Sequence, residues 1–254
     1  MKINAVISSH RSIRKYRKDS LTEALLSGIL QAGIRASNTG NMQMYSFVVT
    51  TDLSIREKLF HAHFKQNMVL EAPVHITFCA DIQRFSLWCK QRKANPGYDN
   101  FLWFCTAMTD AVLASENIAL AAEEAGLGIC YLGTVLYNAD QFIETLDLPW
   151  GVVPVTALVL GYPDESPPLT ERLPKEAVIH HEKYQMPTLE DIDSFYHELE
   201  QSERTSELLA INAKKTLAQV FTENRYPKDA NQLFSQKYLK VLEKQGFLSP
   251  AQRD

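Results

Sequence analysis

From Asn100 to Ala125 apolar side chains occupy nearly the whole helical circumference, in runs such as Phe101-Leu102-Trp103-Phe104 and Ala111-Val112-Leu113-Ala114. A helix with no polar face has to be enclosed, so this segment predicts a central helix around which the rest of the chain is built. It is long enough to raise the question of a membrane span. Asp110, Glu116, Asn117 and the pair Glu123-Glu124 interrupt it with groups that a bilayer core penalises. Gly126 is the expected C-terminal stop.

The elements around this helix alternate in type. Ser20 and Glu23 read as a capping box for a helix from about Leu21 to Ala36, with Leu25, Leu26, Ile29, Leu30 and Gly33 at helical spacing. Ser37-Asn38-Thr39-Gly40-Asn41 ends it in turn-forming residues, and Phe47 to Thr51 reads as a strand. Ser54 and Glu57 suggest a second box, opening a helix to about His63. Val74 to Cys79, Ile129 to Gly133 and Val152 to Leu160 read as further strands, with a helix from Asn138. A single sheet covered by helices follows. After Gly161 the prolines at 163, 167, 168 and 174 mark a connecting arm, and beyond Leu189 the chain is polar helix with weak patterning. Residues 1–162 are therefore expected to form the core. Residues 163–254 are expected to be a proline arm and a helical extension that wraps a partner subunit.

Composition excludes several classes of function. With 26 basic and 30 acidic residues the formal net charge is -4, whereas binding to nucleic acid or an anionic membrane needs a basic excess. No long apolar stretch follows Met1-Lys2-Ile3-Asn4, so a cytoplasmic location without a membrane span is expected. The cysteines at 79, 89, 105 and 130 form no C-x-x-C pair and have no histidine at zinc-like spacing. Cys79, Cys105 and Cys130 read as buried thiols and Cys89 as the exposed one. His61, His63, His75, His180, His181 and His197 read as surface or singly satisfied residues. No metal site is expected. Arg35 and Asn117 read as surface or helix-satisfying groups, and the tryptophans as packing, with Trp103 a candidate border of a ligand pocket.

Four segments carry ligand-competent groups. His10-Arg11-Ser12-Ile13-Arg14 packs two guanidiniums, an imidazole and a hydroxyl just ahead of the first predicted helix, a donor set suited to phosphate oxygens. Ser37 to Asn41 lets a ligand approach backbone N–H groups closely. Gly126 to Thr134 ends a strand in front of a loop at Gly133, and Arg172 follows the proline arm. None places a nucleophile beside a base or pairs two carboxylates at an apolar site. The chain is equipped to hold a cofactor that brings its own chemistry.

His10-Arg11-Ser12-Ile13-Arg14, Arg35 to Gln43, Ala121 to Gly128 running into Tyr131-Leu132-Gly133-Thr134, and Leu160-Gly161-Tyr162-Pro163 together resemble the nitroreductase family of FMN-dependent oxidoreductases, in its order and spacing. Arg172-Leu173-Pro174 and the segment Tyr238 to Phe247 are similar to its branch of NADPH nitroreductases and flavin reductases. The resemblance implies an α+β fold with a central mixed sheet flanked by helices, in a domain-swapped homodimer with FMN at the subunit interface. His10, Arg11 and Ser12 would hold the FMN phosphate and nearby ribityl oxygens, and Arg14 would lie toward the pyrimidine edge. Ser37, Asn38 and Thr39 would add phosphate and ribityl contacts, with the interface as one route. Gln66 would contact the flavin ring, Tyr131, Leu132, Gly133 and Thr134 would line one ring face, and Arg172 would supply a second phosphate contact.

The chain departs from that branch at Thr170, where a basic residue is usual, and at Thr134, where a second glycine is common. The activity implied is hydride transfer from NADPH or NADH, through flavin N5, to nitroaromatic, quinone or flavin acceptors. Arg204 is the candidate for the 2'-phosphate of NADPH, with Lys214, Lys215 and Arg225 farther along. A flavin-binding protein of the same fold without such turnover, flavin-consuming or ligand-sensing, is the alternative.

Overall fold

The computed structural model describes residues 3–248. The chain forms two compact units: one from the residues up to Pro168 together with those from Phe234 onward, the other from Leu169–Leu233.

The first unit contains α1 (Ile3–Ser9), α2 (Glu23–Ile34), β1 (Tyr45–Thr50), α3 (Leu53–Ala62), α4 (Met68–Glu71), β2 (Val74–Asp81), α5 (Gln83–Gln91), α6 (Phe101–Glu124), β3 (Gly128–Leu132), α7 (Ala139–Thr145) and β4 (Val152–Gly161). The four strands lie in the order β1-β2-β4-β3. Every ladder is antiparallel, so the expected mixed sheet is corrected. Among the described residues the one parallel pairing is the isolated bridge between Ser12 and Ile129. The continuous apolar runs of β2 and β4 arise because helices cover both faces of this antiparallel sheet.

On one face Ile76, Phe78, Val153, Val155, Leu158 and Leu160 meet Ala107, Ala111, Ala114, Ile118 and Ala122 of α6. On the other, Ala157, Val159, Cys130 and Leu132 meet Leu59 of α3, Val69 of α4 and Phe142 of α7. Burying a large apolar side chain in these layers contributes roughly 1.5–3 kcal/mol. The small residues along α6 let neighbours approach its backbone. At Gly33 of α2 an added Cβ would stand 2.6 Å from Cγ1 of Ile118 and 3.2 Å from the carbonyl of Ala114, so this glycine sets the α2–α6 distance.

Several local expectations are redrawn. Thr22, not Ser20, caps α2, accepting from the N–H of Leu25. Asp52, not Ser54, caps α3, and the Ser54 hydroxyl donates to that carboxylate at 2.6 Å. The carboxylate is the stronger acceptor and takes the position. α1 and α5 were not foreseen, so the His10–Arg14 segment follows the C-terminal end of one helix and does not directly precede another. Cys89 is buried, and Cys105 is the most accessible of the four thiols. His63 and His75 are fully buried.

The second unit holds α8 (Leu189–Gln201), α9 (Glu203–Asn212), α10 (Leu217–Gln219) and a π-helical turn at Val220–Arg225. Thr188 with Asp191 and Thr216 with Gln219 form capping boxes for α8 and α10. α11 (Lys228–Lys244) leads from this unit into the first. Val241, Leu242 and Phe247 join the main core, Phe247 edge-on to Phe104 at 5.4 Å between centroids. The division expected at residue 162 therefore moves to Pro168, and the C-terminal segment belongs with the core.

Candidate functional site

The polar residues of α6, a helix with one face buried in the core and with Phe101, Leu102, Val112 and Leu113 exposed, make it a rack for three of the ligand-competent segments. Two heptad-spaced pairs do this, Asp110 with Asn117 and Glu116 with Glu123. The first pair faces α2 and the loop after it. The buried Asp110 carboxylate accepts from the backbone N–H of Thr39 at 3.0 Å and from its hydroxyl at 3.1 Å, while Asn117 donates to the carbonyl of Ala32. The Thr39 hydroxyl is thus committed inward. Asn38 braces the same loop by accepting from the N–H of Gln43 at 3.2 Å. Ser37 is exposed.

The second pair faces the N-terminal segment and β3. His10 Nδ1 donates to Glu123 at 2.8 Å, and the one Tyr131 O–H is shared between Ser115 Oγ at 3.0 Å and Glu116 Oε2 at 3.3 Å. Burial raises the Glu123 pKa, and the bond from His10 opposes that rise. Burial, with the Glu116 carboxylate nearby, keeps the Tyr131 phenol protonated.

The segment His10–Arg14 is laid along the free edge of β3: Ser12 bridges Ile129, and the N–H of Ile13 donates to the Ile129 carbonyl at 2.8 Å. This close approach requires Gly128, where a Cβ would stand 2.7 Å from that of Ile13. Arg11 donates to the carbonyls of Ser9 and Pro167, which leaves three of its five N–H groups for a ligand. The Arg14 side chain is exposed, while its backbone N–H and that of Lys15 both donate to Glu165.

β3 then delivers Tyr131, Leu132, Gly133 and Thr134. Leu132 is buried in the core, so only its backbone is available to a ligand. Gly133 is exposed with open space where a Cβ would stand. Gln66 donates to the Thr134 hydroxyl at 3.2 Å and to the carbonyl of His63 at 3.1 Å. The structure thus joins His10–Arg14, Tyr131–Thr134 and Gln66 around β3.

The loop Ser37–Thr39 is held elsewhere, at the other end of α6. Thirteen residues separate Asp110 from Glu123, about 20 Å along a helix at 1.5 Å per residue. Arg172 and Arg204 belong to the second unit. Arg172 donates to Thr170 and to the carbonyl of Glu171. Arg204 is exposed on α9, and Lys214 is paired with Glu223 at 2.7 Å.

Asp110, Glu123, Ser115 and Glu116 were missed as anchors, although the seven-residue spacing of Asp110 with Asn117 and of Glu116 with Glu123 on an apolar helix was a readable signal. The buried pair His63 and His75 was missed as well. No sequence spacing joins a helix end to a strand twelve residues on.

Relatives place this arrangement. A solved protein from Bacteroides fragilis superposes with a TM-score of 0.95 at 46% identity, covering 96% of this chain and 100% of its own. The NADPH-flavin oxidoreductase of Vibrio harveyi is 34% identical over 191 residues, 74% of this chain and 77% of the relative. The FMN reductase (NADPH) of Bacillus subtilis is 30% identical over 201 residues, 78% and 79% of the two chains. The nitroreductase family model matches residues 7–162, the span that holds α6, the sheet and the β3 edge. The chain belongs to the nitroreductase family.

Proposed function

We propose that the chain is an FMN-dependent NAD(P)H oxidoreductase that reduces small electron-poor acceptors, nitroaromatics, quinones or flavins, by two half-reactions in one site, as a cytoplasmic homodimer. The observation that carries this reading is the single edge on which the cationic segment His10–Arg14 runs into the open backbone at Gly133. A phosphate-bearing cofactor with a flat ring needs such an edge, a cation at one end and an unobstructed surface at the other. The donor set fits: Arg11 keeps free N–H groups and Arg14 is exposed, and Gly133 presents no side chain to a ring. The named activities of the Vibrio and Bacillus relatives support the same cofactor and donor.

FMN, when bound, supplies the redox chemistry, accepting hydride from NAD(P)H and passing two electrons to the acceptor. The chain's own work is binding and electrostatics. His10, Arg11 and Ser12 would hold the phosphate end, and Arg172 is retained as a candidate for a second phosphate contact. Arg14 would place positive charge near the ring, where reduction increases negative charge. Tyr131 to Thr134 would form the floor and Gln66 one wall. Because Ser37–Thr39 is anchored about 20 Å along α6 from the His10 anchor, its contacts to the same cofactor are assigned to a second copy of the chain. Arg204 would read the 2'-phosphate of NADPH.

The test is spectroscopic. The purified protein is expected to be yellow and to bleach with NADPH under anaerobic conditions, then recover its colour with a quinone or nitroaromatic. A colourless protein that takes up no FMN would overturn the reading. A yellow protein that does not bleach with either nicotinamide would instead be a flavin-binding protein without turnover. Arg11→Ala is expected to weaken FMN binding by about tenfold to a hundredfold, the loss of a charge-assisted contact. Arg14→Ala should act more on the flavin's midpoint potential.

A further inference from the structure

His75 lies in β2, where every residue is buried, and an imidazole there needs a partner. It has one. Its Nε2 lies 3.0 Å from Nε2 of His63, the residue that ends α3, and Nδ1 of His63 lies 2.7 Å from the Thr134 hydroxyl. Phe142 covers both rings. Burial pushes both imidazoles far down, His63 to about 2 and His75 to about 3. The neighbouring ring adds to this at His63 and the Arg56 guanidinium at His75, whose own backbone carbonyl opposes it weakly. Both rings are therefore neutral and carry one proton each.

A backbone carbonyl only accepts, so the bond from Gln66 to the His63 carbonyl fixes which end of the amide is nitrogen. That nitrogen also donates to Thr134 Oγ1. At the far end, His75 Nδ1 is buried without a hydrogen-bond partner. The ring's own backbone carbonyl acts on it only weakly, whereas the Arg56 guanidinium, whose Nε is likewise buried without an acceptor, acts on it more strongly, and a cation favours a bare lone pair over an N–H. The proton of His75 is then on Nε2, donated to His63, and the proton of His63 is on Nδ1, donated to Thr134. Thr134 Oγ1 accepts twice, which leaves its own O–H to point out of the protein. The side-chain amide oxygen of Gln66, Oε1, also has no protein partner among the described residues, and both side chains are half-buried, so they reach the surface.

We infer that His75 and His63 are positioning residues that lock the Thr134 hydroxyl as an outward donor, beside the Gln66 side-chain amide oxygen as an outward acceptor. A donor next to an acceptor complements an imide edge, in which a carbonyl stands next to an N–H, and the pyrimidine ring of a flavin carries that edge. The inference rests on the flavin reading above. It gives a role to Thr134 and to two buried histidines that the rest of the site does not use.

Nitrogen-15 spectra of the histidine side chains in the holoprotein test the direction. His63 is expected to carry its proton on Nδ1 and His75 on Nε2, and the opposite assignment overturns the inference. The consequence is read from FMN dissociation and midpoint potential. Thr134→Val should release FMN about threefold to tenfold more readily, the worth of one neutral hydrogen bond, and should lower the potential. Thr134→Ser should recover both. His63→Phe should act in the same direction alone and add nothing in the Thr134→Val background, because both changes remove the same donor. Additive losses, or a valine variant indistinguishable from the parent, overturn it. If His63→Phe does not fold, the proton positions and the valine and serine pair decide. A chain that takes up no FMN refutes the flavin reading instead, and the proton positions, read on the flavin-free protein, still test the donor direction.

Discussion

The buried imidazoles make an acid-sensitive element. Their folded pKa values lie far below the ordinary 6.5, so below about 6.5 the unfolded chain takes up protons that the native state refuses. Stability should therefore fall as pH drops from about 6.5 toward 3, on the order of 1 kcal/mol per pH unit for each ring. Urea unfolding at stepped pH should show this slope, and His75→Leu should remove about half of it. A flat profile between pH 6 and 4.5 would mean the native rings accept protons. Arg204 offers a second test at this scale. A partly exposed guanidinium on a phosphate is worth roughly 1 to 2 kcal/mol, about fivefold to thirtyfold in preference. Arg204→Ala should raise KM for NADPH by that factor and leave KM for NADH and the flavin content unchanged. Equal losses with both donors would mean that Arg204 shapes the pocket without reading the phosphate.

The two glycines of α2 make opposite predictions, because one stands against α6 and the other in the open. An added Cβ at Gly33 would meet Ile118 at 2.6 Å and backbone at 3.2 Å, while nothing lies within 4 Å of one at Gly28. Gly33→Ala should destabilise by about 1 to 3 kcal/mol through overpacking. Gly28→Ala should stabilise by about 0.5 to 1 kcal/mol, because glycine in an exposed helix interior costs conformational entropy. Thermal unfolding of the two variants should move in opposite directions, and a shift of the same sign in both would contradict the packing described. What the sequence revealed follows the same division. α6 was legible because a helix apolar on all sides has one solution, and β2 and β4 because their apolar runs are long. α5 was not, since Leu87 and Trp88 are exposed beside buried Ser86 and Cys89 and blur its periodicity. α1 is too short to show a pattern. Within the site, the cationic segment and the Gly133 edge could be read locally. The anchors Asp110 and Glu123 act across 71 and 113 residues of chain, a pairing that only the folded path of α6 makes visible.

The whole molecule is expected to be a homodimer, and the spread of the candidate site along α6 makes that testable. Leu102, Val112 and Leu113 of α6 are 71%, 47% and 44% exposed, a concentration of apolar side chains on a central helix that an isolated chain leaves uncovered. Sedimentation of the holoprotein at micromolar concentration should give a dimer. If one cofactor is held by His10–Arg14 of one copy and by Ser37–Thr39 of the other, lesions in the two segments should complement. Arg11→Ala removes a cation from the first segment. Ser37→Glu puts a carboxylate on the second at an exposed position, where it repels phosphate at little structural cost. Each homodimer then carries two damaged sites. A mixed dimer carries one site with both lesions and one with none, so co-expression of the two variants should restore flavin to about one site in each mixed dimer, isolated by two different tags. A site built within one chain would give every site of the mixed dimer a single lesion and no recovery. That result would return Ser37–Thr39 to a purely structural role at the Asp110 end of α6.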